Sequence, residues 1–312
     1  MRLWVAFVLG LSVTLPAAGQ GPPTIPAASS QDLERLMSRH VANARAYAAA
    51  FRNLTAEETK ISEEFERDGR VKQRRVTISD LVVYWSQRDL VETTEYRDIR
   101  SVDGKPIEKR GKRAIDLFGR VSQATSLEQE LELVDRESQR YELHYRVIGS
   151  TVHQVISTPQ SRIDTIFHWI GRDRLGDRDV IVIDYEYRQN QPLDPFHAGM
   201  GITAMAARGR LWLDSETAQL RRARWELAGQ HPVLPDPVVL IRSEHDYTDS
   251  RLGILVPERI VFEWFEAPRW SKNSKQAPSF TLAARTAFAY SAFRKFDVIT
   301  KEVIAEPDER SH

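Results

Sequence analysis

The chain has 312 residues, and its 44 Lys and Arg residues balance its 44 Asp and Glu residues to a formal net charge of zero. A nucleic-acid-binding protein normally carries a basic excess or a basic stripe, so this balance argues against nucleic acid as a partner. The absence of cysteine excludes a thiol nucleophile, a disulfide framework and a lipid anchor attached through cysteine.

The N-terminus has the pattern of a secretory signal peptide at residues 1–19. One arginine precedes an apolar run over residues 3–15, and small residues precede a cleavage point after Gly19. The run of roughly 13 residues is shorter than the roughly 20 that a membrane-spanning helix needs. We therefore predict an exported chain, periplasmic or secreted, with no transmembrane segment after signal cleavage. A flexible leader is predicted at residues 20–30.

An amphipathic helix is predicted over residues 31–52. Ser30 can cap it, and Asp32 in the first turn suits the helix dipole. Its apolar positions recur at spacings of three and four, and they are Leu33, Leu36, Met37, His40, Val41, Ala44, Tyr47, Ala48 and Phe51. A single helix cannot bury this face, so the face must lie against another layer.

Two Asp-Gly pairs then predict tight hairpins between strand-like segments. The first pair is Asp68-Gly69, and the second is Asp103-Gly104. The stretch from Arg97 to Arg113 is rich in both charges. It could meet anionic lipid headgroups or an acidic partner, or it could be a solvated hairpin.

A second helix is predicted from Leu127 to about Tyr141. Ser126 is its cap, and its glutamates lie early and its arginines late, as the helix dipole favours. From residue 162 onward the chain is a run of segments in which apolar and polar residues alternate, up to a last strand at 296–304. This alternation is typical of an antiparallel sheet with one wet face.

The predicted fold is therefore mainly β, of the α+β class, and consists of a large curved antiparallel sheet with helices packed in its concave face. Residues 31–304 are predicted to form a single domain, and residues 305–312 a disordered tail. Only two helices are predicted to cover this wide sheet. We therefore predict that an apolar cavity can open between the layers.

Large aromatic side chains recur on the apolar face of the predicted helix and strands. Taken singly, each is explained by a filled core; taken together they form a long stripe and are the candidate lining of a ligand cavity. The candidates are Tyr47, Phe51, Phe167, Trp169, Tyr185, Tyr187, Trp225, Phe262, Trp264, Phe288 and Tyr290.

Catalytic and metal motifs are sparse. The eight histidines show no spacing typical of a metal site, and no Gly-x-Ser-x-Gly elbow is present. His245 and Asp246 are adjacent on a strand and so point to opposite faces. Asp184 and Glu186 could form a glycosidase pair, although a solvated strand face explains them better. We predict no catalysis, no metal and no cofactor.

The strand from Gly209 to Asp214, with its Thr-containing turn and Arg-rich return strand, resembles the central hairpin of the LolA/LolB/LppX-like superfamily of periplasmic proteins, to which MucB belongs. A weaker similarity lies at residues 102–107. The resemblance implies a half-barrel that holds helices in its concave face, with an apolar cavity for acyl chains. It carries over no individual ligand residue.

These observations leave three hypotheses for the function. The first is an exported protein that carries or senses a lipid or an acylated lipoprotein without catalysis. The second is a regulator or scaffold with a solid core, whose outer face or sheet edge docks an envelope protein. The third, more remote, is a hydrolase.

Overall fold

The computed structural model describes residues 30–51, 53–85, 93–143, 165–187, 195–271 and 277–296. The predicted signal peptide, most of the leader, the C-terminal tail and nearly all of the predicted strand at 296–304 lie outside these residues. Four helices are described: α1 (Ser30–Ala50), α2 (Arg110–Gln123), α3 (Leu127–Ser138) and α4 (Pro195–Gly199).

Eleven strands form one curved sheet. They are β1 (Leu54–Phe65), β2 (Val71–Trp85), β3 (Thr93–Val102), β4 (Lys105–Pro106), β5 (Thr165–Leu175), β6 (Arg178–Tyr187), β7 (Ala204–Asp214), β8 (Leu220–Gln230), β9 (Val238–Asp249), β10 (Leu255–Glu266) and β11 (Thr281–Lys295). Their order is β4-β3-β2-β1-β11-β10-β9-β8-β7-β6-β5. Each neighbouring pair is antiparallel, and the described sheet is not closed, so the predicted fold class is confirmed.

The two Asp-Gly pairs form the hairpins that the sequence predicts. Gly69 has a φ of 84°, and Asp103 and Gly104 have φ values of 50° and 75°. The two successive positive φ values at Asp103-Gly104 are those of a tight two-residue hairpin, whereas at Asp68-Gly69 only the glycine has a positive φ, within a longer turn between β1 and β2. The Asp103 side chain also accepts a hydrogen bond from the Val76 amide at 2.8 Å, which joins this turn to β2.

We define the inner face of the sheet as the face that packs against α1. Leu36, Met37 and Tyr47 of α1, together with Phe51 directly after it, belong to one buried cluster with strand residues from β1, β2 and β6 to β11, including Phe288. Side chains of α1 also donate hydrogen bonds to the turn between β7 and β8. The predicted helix is thus confirmed, with Ser30 as its first residue rather than its cap.

Helices α2 and α3 lie along the edge strand β3. Ser126 caps α3 by accepting a hydrogen bond from the Gln129 amide, as the sequence predicts, and α3 ends at Ser138, three residues before the predicted end. The Ser138 hydroxyl accepts a hydrogen bond from the backbone amide of Arg97 in the edge strand β3. Such a contact covers backbone groups that an open sheet edge would leave exposed.

The stretch from Arg97 to Arg113 contains an exposed hairpin turn between β3 and β4, as predicted, but the rest of the stretch is not a solvated hairpin. The segment contains the start of α2, and four of its arginines are held in ion pairs with carboxylates of the sheet or of α3. These arginines are Arg97, Arg100, Arg110 and Arg113. The exposed lysines that remain are too few to support the alternative of a broad basic docking surface.

The outer face carries an alternating ladder of charges over eight neighbouring strands from β6 to β2. In register order its members are Glu186, Arg208, Glu226, Arg242, Glu263, Arg285, Glu63 and Arg74. Glu226 accepts hydrogen bonds from Arg208 at 3.2 Å and from Arg242 at 3.0 Å. Opposite charges directly across a pair of strands stabilise that register, because a slip would place like charges together.

Candidate ligand-binding face

The strand register places nine of the eleven candidate aromatics on the inner face. They are Phe167, Trp169, Tyr185, Tyr187, Trp225, Phe262, Trp264, Phe288 and Tyr290. The other two are Tyr47 in α1 and Phe51 directly after it, and they pack against the same face. The sequence prediction therefore identified one continuous surface, while its role in ligand binding stays a prediction.

One row of inner-face residues is deeply buried. This first row crosses the sheet from β6 to β11 through Ile183, Leu211, Ala223, His245, Ile260 and Phe288. Each of these residues is at most 4% exposed. They form the part of the core in which side chains are packed as in an ordinary protein interior.

Aromatic rings form a closed circuit of contacts over this first row. The ring-centroid distances lie between 4.4 and 6.4 Å, within the range of favourable aromatic pairs. The circuit runs through Phe51, Tyr47, Tyr247, His245, Phe262, Phe288, Tyr290, Phe293 and back to Phe51. It joins α1 to strands β9, β10 and β11.

A second row of inner-face residues lies two residues away from the first row on each strand, and it is more open. It contains Phe167, Tyr185, Gly209, Trp225, Ser243, Phe262 and Thr286. From Gly209 to Thr286 small and large side chains alternate, and Trp225 and Phe262 are only partly buried. The half-buried Tyr187 and Trp264 lie one step further again. We call this row of partly exposed aromatics separated by small residues the trough.

Gly209 is required at its position because Tyr185 lies across it. A Cβ at residue 209 would stand 2.5 Å from the Tyr185 ring and 2.2 Å from the backbone oxygen of Arg224. Neither contact is sterically possible without movement of a strand or of the ring. The glycine therefore lets the tyrosine ring lie flat along the trough.

Several polar groups of the inner face are buried without a partner. Within the described residues, the hydroxyls of Tyr47, Tyr185 and Tyr247 have no hydrogen-bond partner. Burial raises the pKa of each of these tyrosines above its usual value. Burial also lowers the pKa of His245 to about 4, so its imidazole is neutral at pH 7. Buried tyrosine hydroxyls usually have a hydrogen-bond partner. These three hydroxyls are therefore available to a polar group of a ligand.

Part of the inner face of β1 to β3 carries a cluster of charged side chains, and this cluster was missed in the sequence. Glu58 accepts a hydrogen bond from Arg97 at 2.9 Å, and Arg97 also pairs with Glu95. Lys60 forms an ion pair with Glu142, a few residues after α3. Burial opposes ionisation of Arg97, but its two glutamates outweigh burial and raise its pKa.

The period-two alternation of β1 was the signal that could have found this cluster. It continues inward from Leu54 and Ala56 through Glu58 and Lys60, and so assigns the two charged residues to the buried side. Only apolar residues were expected on that side, so the two charges were missed.

Other motifs weighed in the sequence do not assemble into sites. Asp184 and Glu186 lie on the outer face, where Arg210 donates to both oxygens of Asp184 at 2.6 and 2.8 Å. Asp246 also lies on the outer face and pairs with Arg222, away from His245. In the part of the chain that is described, no three His, Cys, Asp or Glu residues are grouped so that they could hold a metal ion.

Two clefts on the described surface have charged linings. One, of about 500 Å³, lies where the β1–β2 hairpin meets β10 and β11, and its lining includes Glu64, Arg67, Lys72 and Glu266. Neither this cleft nor one of about 360 Å³ on the outer face has the predicted aromatic lining. An apolar cavity between the sheet and α1 stays a prediction. Among the described helices, none has the length and apolar character to cross a membrane.

No family model matches the chain, and no curated protein matches it either. Among solved structures, it is similar to an outer membrane lipoprotein-sorting protein domain from Vibrio parahaemolyticus, with 10% identity, a TM-score of 0.41, and coverage of 84% of this chain and 94% of that one. A LolA superfamily protein from Nitrosomonas europaea has 9% identity and a TM-score of 0.34, with coverage of 85% and 94%.

The MucA/MucB complex of Pseudomonas aeruginosa also matches, with 11% identity, a TM-score of 0.21, and coverage of 85% of this chain and 99% of that one. These proteins are of the kind that the sequence resemblance predicted. Because the identities are near 10% and these TM-scores lie below 0.5, the similarities support no conclusion about the function of this chain.

Proposed function

We propose that this protein is an exported, periplasmic binding protein that holds an apolar chain, from a lipid or an acylated protein, on its inner face without catalysis. The single observation that supports this proposal is the second row of the inner face. There Trp225 and Phe262 are only partly buried, and they stand between small residues beside a fully packed first row.

The energetics allow useful affinity. Burying about 15 methylenes at about 0.8 kcal/mol each gives a gross gain of about 12 kcal/mol. Loss of translational freedom and ordering of the chain cost several kcal/mol, and the remainder corresponds to micromolar binding or better. The trough does not need to enclose the chain completely to reach that range.

The test uses the fluorescence of a dansyl-labelled undecanoic acid methyl ester, an uncharged apolar probe, titrated with the full chain. Trp225→Ala removes an aromatic wall of the trough and should weaken binding about tenfold, because a large part of the indole contact area is lost. Trp212→Ala is the matched control, since Trp212 is also a partly buried tryptophan but lies on the outer face of the neighbouring strand β7.

Equal loss of affinity in the two tryptophan variants would contradict the proposed site, and the absence of any binding by the parent protein would contradict the proposed function. Denaturation midpoints of both variants show whether each remains folded. Native mass spectrometry of protein purified from its own cell envelope gives an independent measurement, in which a co-purifying lipid is the expected result.

The second candidate function is an interaction module, and the edge strand β5 favours it. Ile166 and Ile170 on this strand are 51% and 52% exposed. Large exposed apolar side chains on a sheet edge are suited to contact with another protein. Under this alternative, Ile166→Lys abolishes capture of an envelope protein while Trp225→Ala leaves the capture unchanged.

A further inference from the structure

The inner face is divided into an aromatic part and a charged part that meet at one residue. Phe288 on β11 is the last member of the first row, and its register partner on β1 is Lys60. The Lys60 ammonium lies 5.1 Å from the centre of the Phe288 ring, and the Arg97 guanidinium lies 5.9 Å from it. Two cations therefore stand at the end of the aromatic surface.

The two cations differ in how they are neutralised. Arg97 is held by Glu58 and Glu95, which project from the strands themselves. Lys60 is paired with Glu142, which comes from the segment that follows α3. The strands alone thus contribute two cations and two carboxylates, and the carboxylate of Glu142 is an additional negative charge.

The contact of Glu142 with Lys60 is incomplete. One carboxylate oxygen of Glu142 bonds Lys60, but the other is buried and has no hydrogen-bond partner within the described residues. The Lys60 side chain is 7% exposed, so its charge is costly to bury and requires an anionic partner. A ligand anion could replace Glu142 there without changing the net charge of the cluster.

We propose that Lys60 is the binding site for the anionic head group of an amphiphile, whose apolar chain extends from Phe288 toward Trp225, and that Glu142 occupies this site in the absence of the ligand. This inference rests on the proposed function and adds the class and orientation of the ligand. In the sheet, β8 lies four strand spacings from β1. At about 4.8 Å for each spacing, the apolar chain of the ligand would cross about 19 Å, a distance suited to a long acyl chain.

The head group is defined by its negative charge, which either a fatty acid carboxylate or a phospholipid phosphate supplies. The exchange of Glu142 for such a group makes and breaks only noncovalent contacts. Arg97 stays with its two glutamates, whose combined charge exceeds its own, so it does not attract the head group. The preference for an anion therefore depends on Lys60.

The experiment compares dansyl-labelled undecanoic acid with its methyl ester, which differ only in the charge of the head group. We expect the full chain to bind the acid about tenfold more tightly, as a charge-assisted hydrogen bond predicts. Lys60→Met should weaken binding of the acid alone and bring the two affinities together. Glu142→Gln should strengthen binding of the acid several-fold and leave the ester unchanged, because the competing carboxylate is gone.

Lys72→Met is the matched control, since Lys72 is an exposed lysine on β2 and should not affect either probe. Equal affinities for acid and ester in the parent protein, or an unchanged ratio in Lys60→Met, would overturn this inference and leave the proposed function intact. If neither probe binds, the proposed function itself fails. If Lys60→Met does not fold, the result with Glu142→Gln decides.

A fluorescent phosphatidate and the matching diacylglycerol form a second pair of probes. Preference for the anionic member of either pair supports the inference, and the pair with the larger preference identifies carboxylate or phosphate as the head group. Absence of a preference in both pairs overturns it.

Discussion

His245 gives the protein a specific sensitivity to acid. Its ring lies in the first row of the inner face, 5.8 Å from the Phe262 ring and 6.4 Å from the Tyr247 ring. One ring nitrogen contacts the Ser243 hydroxyl at 3.2 Å, and the other has no partner in the described structure. Burial therefore lowers the pKa of His245 to about 4, and the adjacent Asp246 opposes this only weakly.

The magnitude follows from the difference between the two states. The usual pKa of 6.5 applies to the unfolded chain, and the folded value is about 4. At about 1.4 kcal/mol for each unit, the folded state loses about 3 kcal/mol relative to the unfolded state. The loss begins as the pH falls below about 6.5, because the unfolded chain then takes up a proton that the folded chain refuses, and it is complete near pH 4.

The assay is urea unfolding from about pH 7.5 to about pH 4.5 for the parent protein and for His245→Phe. The phenylalanine ring fits the same aromatic surroundings and cannot be protonated. We expect the variant to gain about 2.5 kcal/mol relative to the parent protein over this range. His168→Gln, a change at an exposed histidine on β5, should keep the pH dependence of the parent. Parallel curves for the parent and His245→Phe would refute the reasoning.

Two further predictions concern the sheet. Gly209→Ala should lower the free energy of unfolding by about 1–3 kcal/mol, because the added methyl group meets a backbone oxygen and a tyrosine ring. Gly119→Ala, at an open position of α2, should raise the free energy of unfolding by about 0.5–1 kcal/mol. Equal effects of the two changes in urea unfolding would contradict the tight contact at Gly209. Glu226→Gln should lower the free energy of unfolding by about 1–3 kcal/mol, because the Glu226 side chain is 11% exposed and bonds several arginines. Glu244→Gln, at a side chain that is 46% exposed, should lower it by less than about 0.5 kcal/mol. A smaller loss at Glu226 than at Glu244 would refute the contribution of the charge ladder.

The sequence predicted the sheet well because its strands carry a strong local signal. Apolar and polar residues alternate over long segments, and Asp68-Gly69 and Asp103-Gly104 define turns without help from the rest of the fold. The cap at Ser126 is local in the same way. Such features need only their neighbours in the chain.

Helix α2 escaped prediction because its local signals conflict. It begins after Lys109, which has a φ of 55° and makes no side-chain cap, and it buries only Leu117 and Val121. Ile115 and Phe118 are apolar but exposed, which blurs the periodicity of the helix. The helix is stabilised by its contact with α3 and the edge strand, and these tertiary contacts are not visible in a window of sequence.

The candidate face was predictable only in part, because some of its features are local and others depend on the strand order. Alternation along each strand assigns its aromatics to one side, but the neighbours across the sheet depend on the strand order. The ion pair of Lys60 with Glu142 joins residues that are 82 positions apart. Alternation along β1 assigns Lys60 to the inner face, but nothing local indicates that the segment after α3 covers it, so its pairing with Glu142 could not be predicted.

The pairing of β1 with β11 explains why the charged and aromatic parts meet where they do. Among the described strands, this pairing joins the first strands to the last, and it sets Glu58 beside Tyr290 and Lys60 beside Phe288. Burying a charge costs several kcal/mol, and replacing a buried ion pair by well-packed apolar residues is often neutral or stabilising. Stability alone therefore does not account for charges at this boundary. An apolar surface that ends at a buried cation is, however, the arrangement that distinguishes one end of an amphiphile from the other.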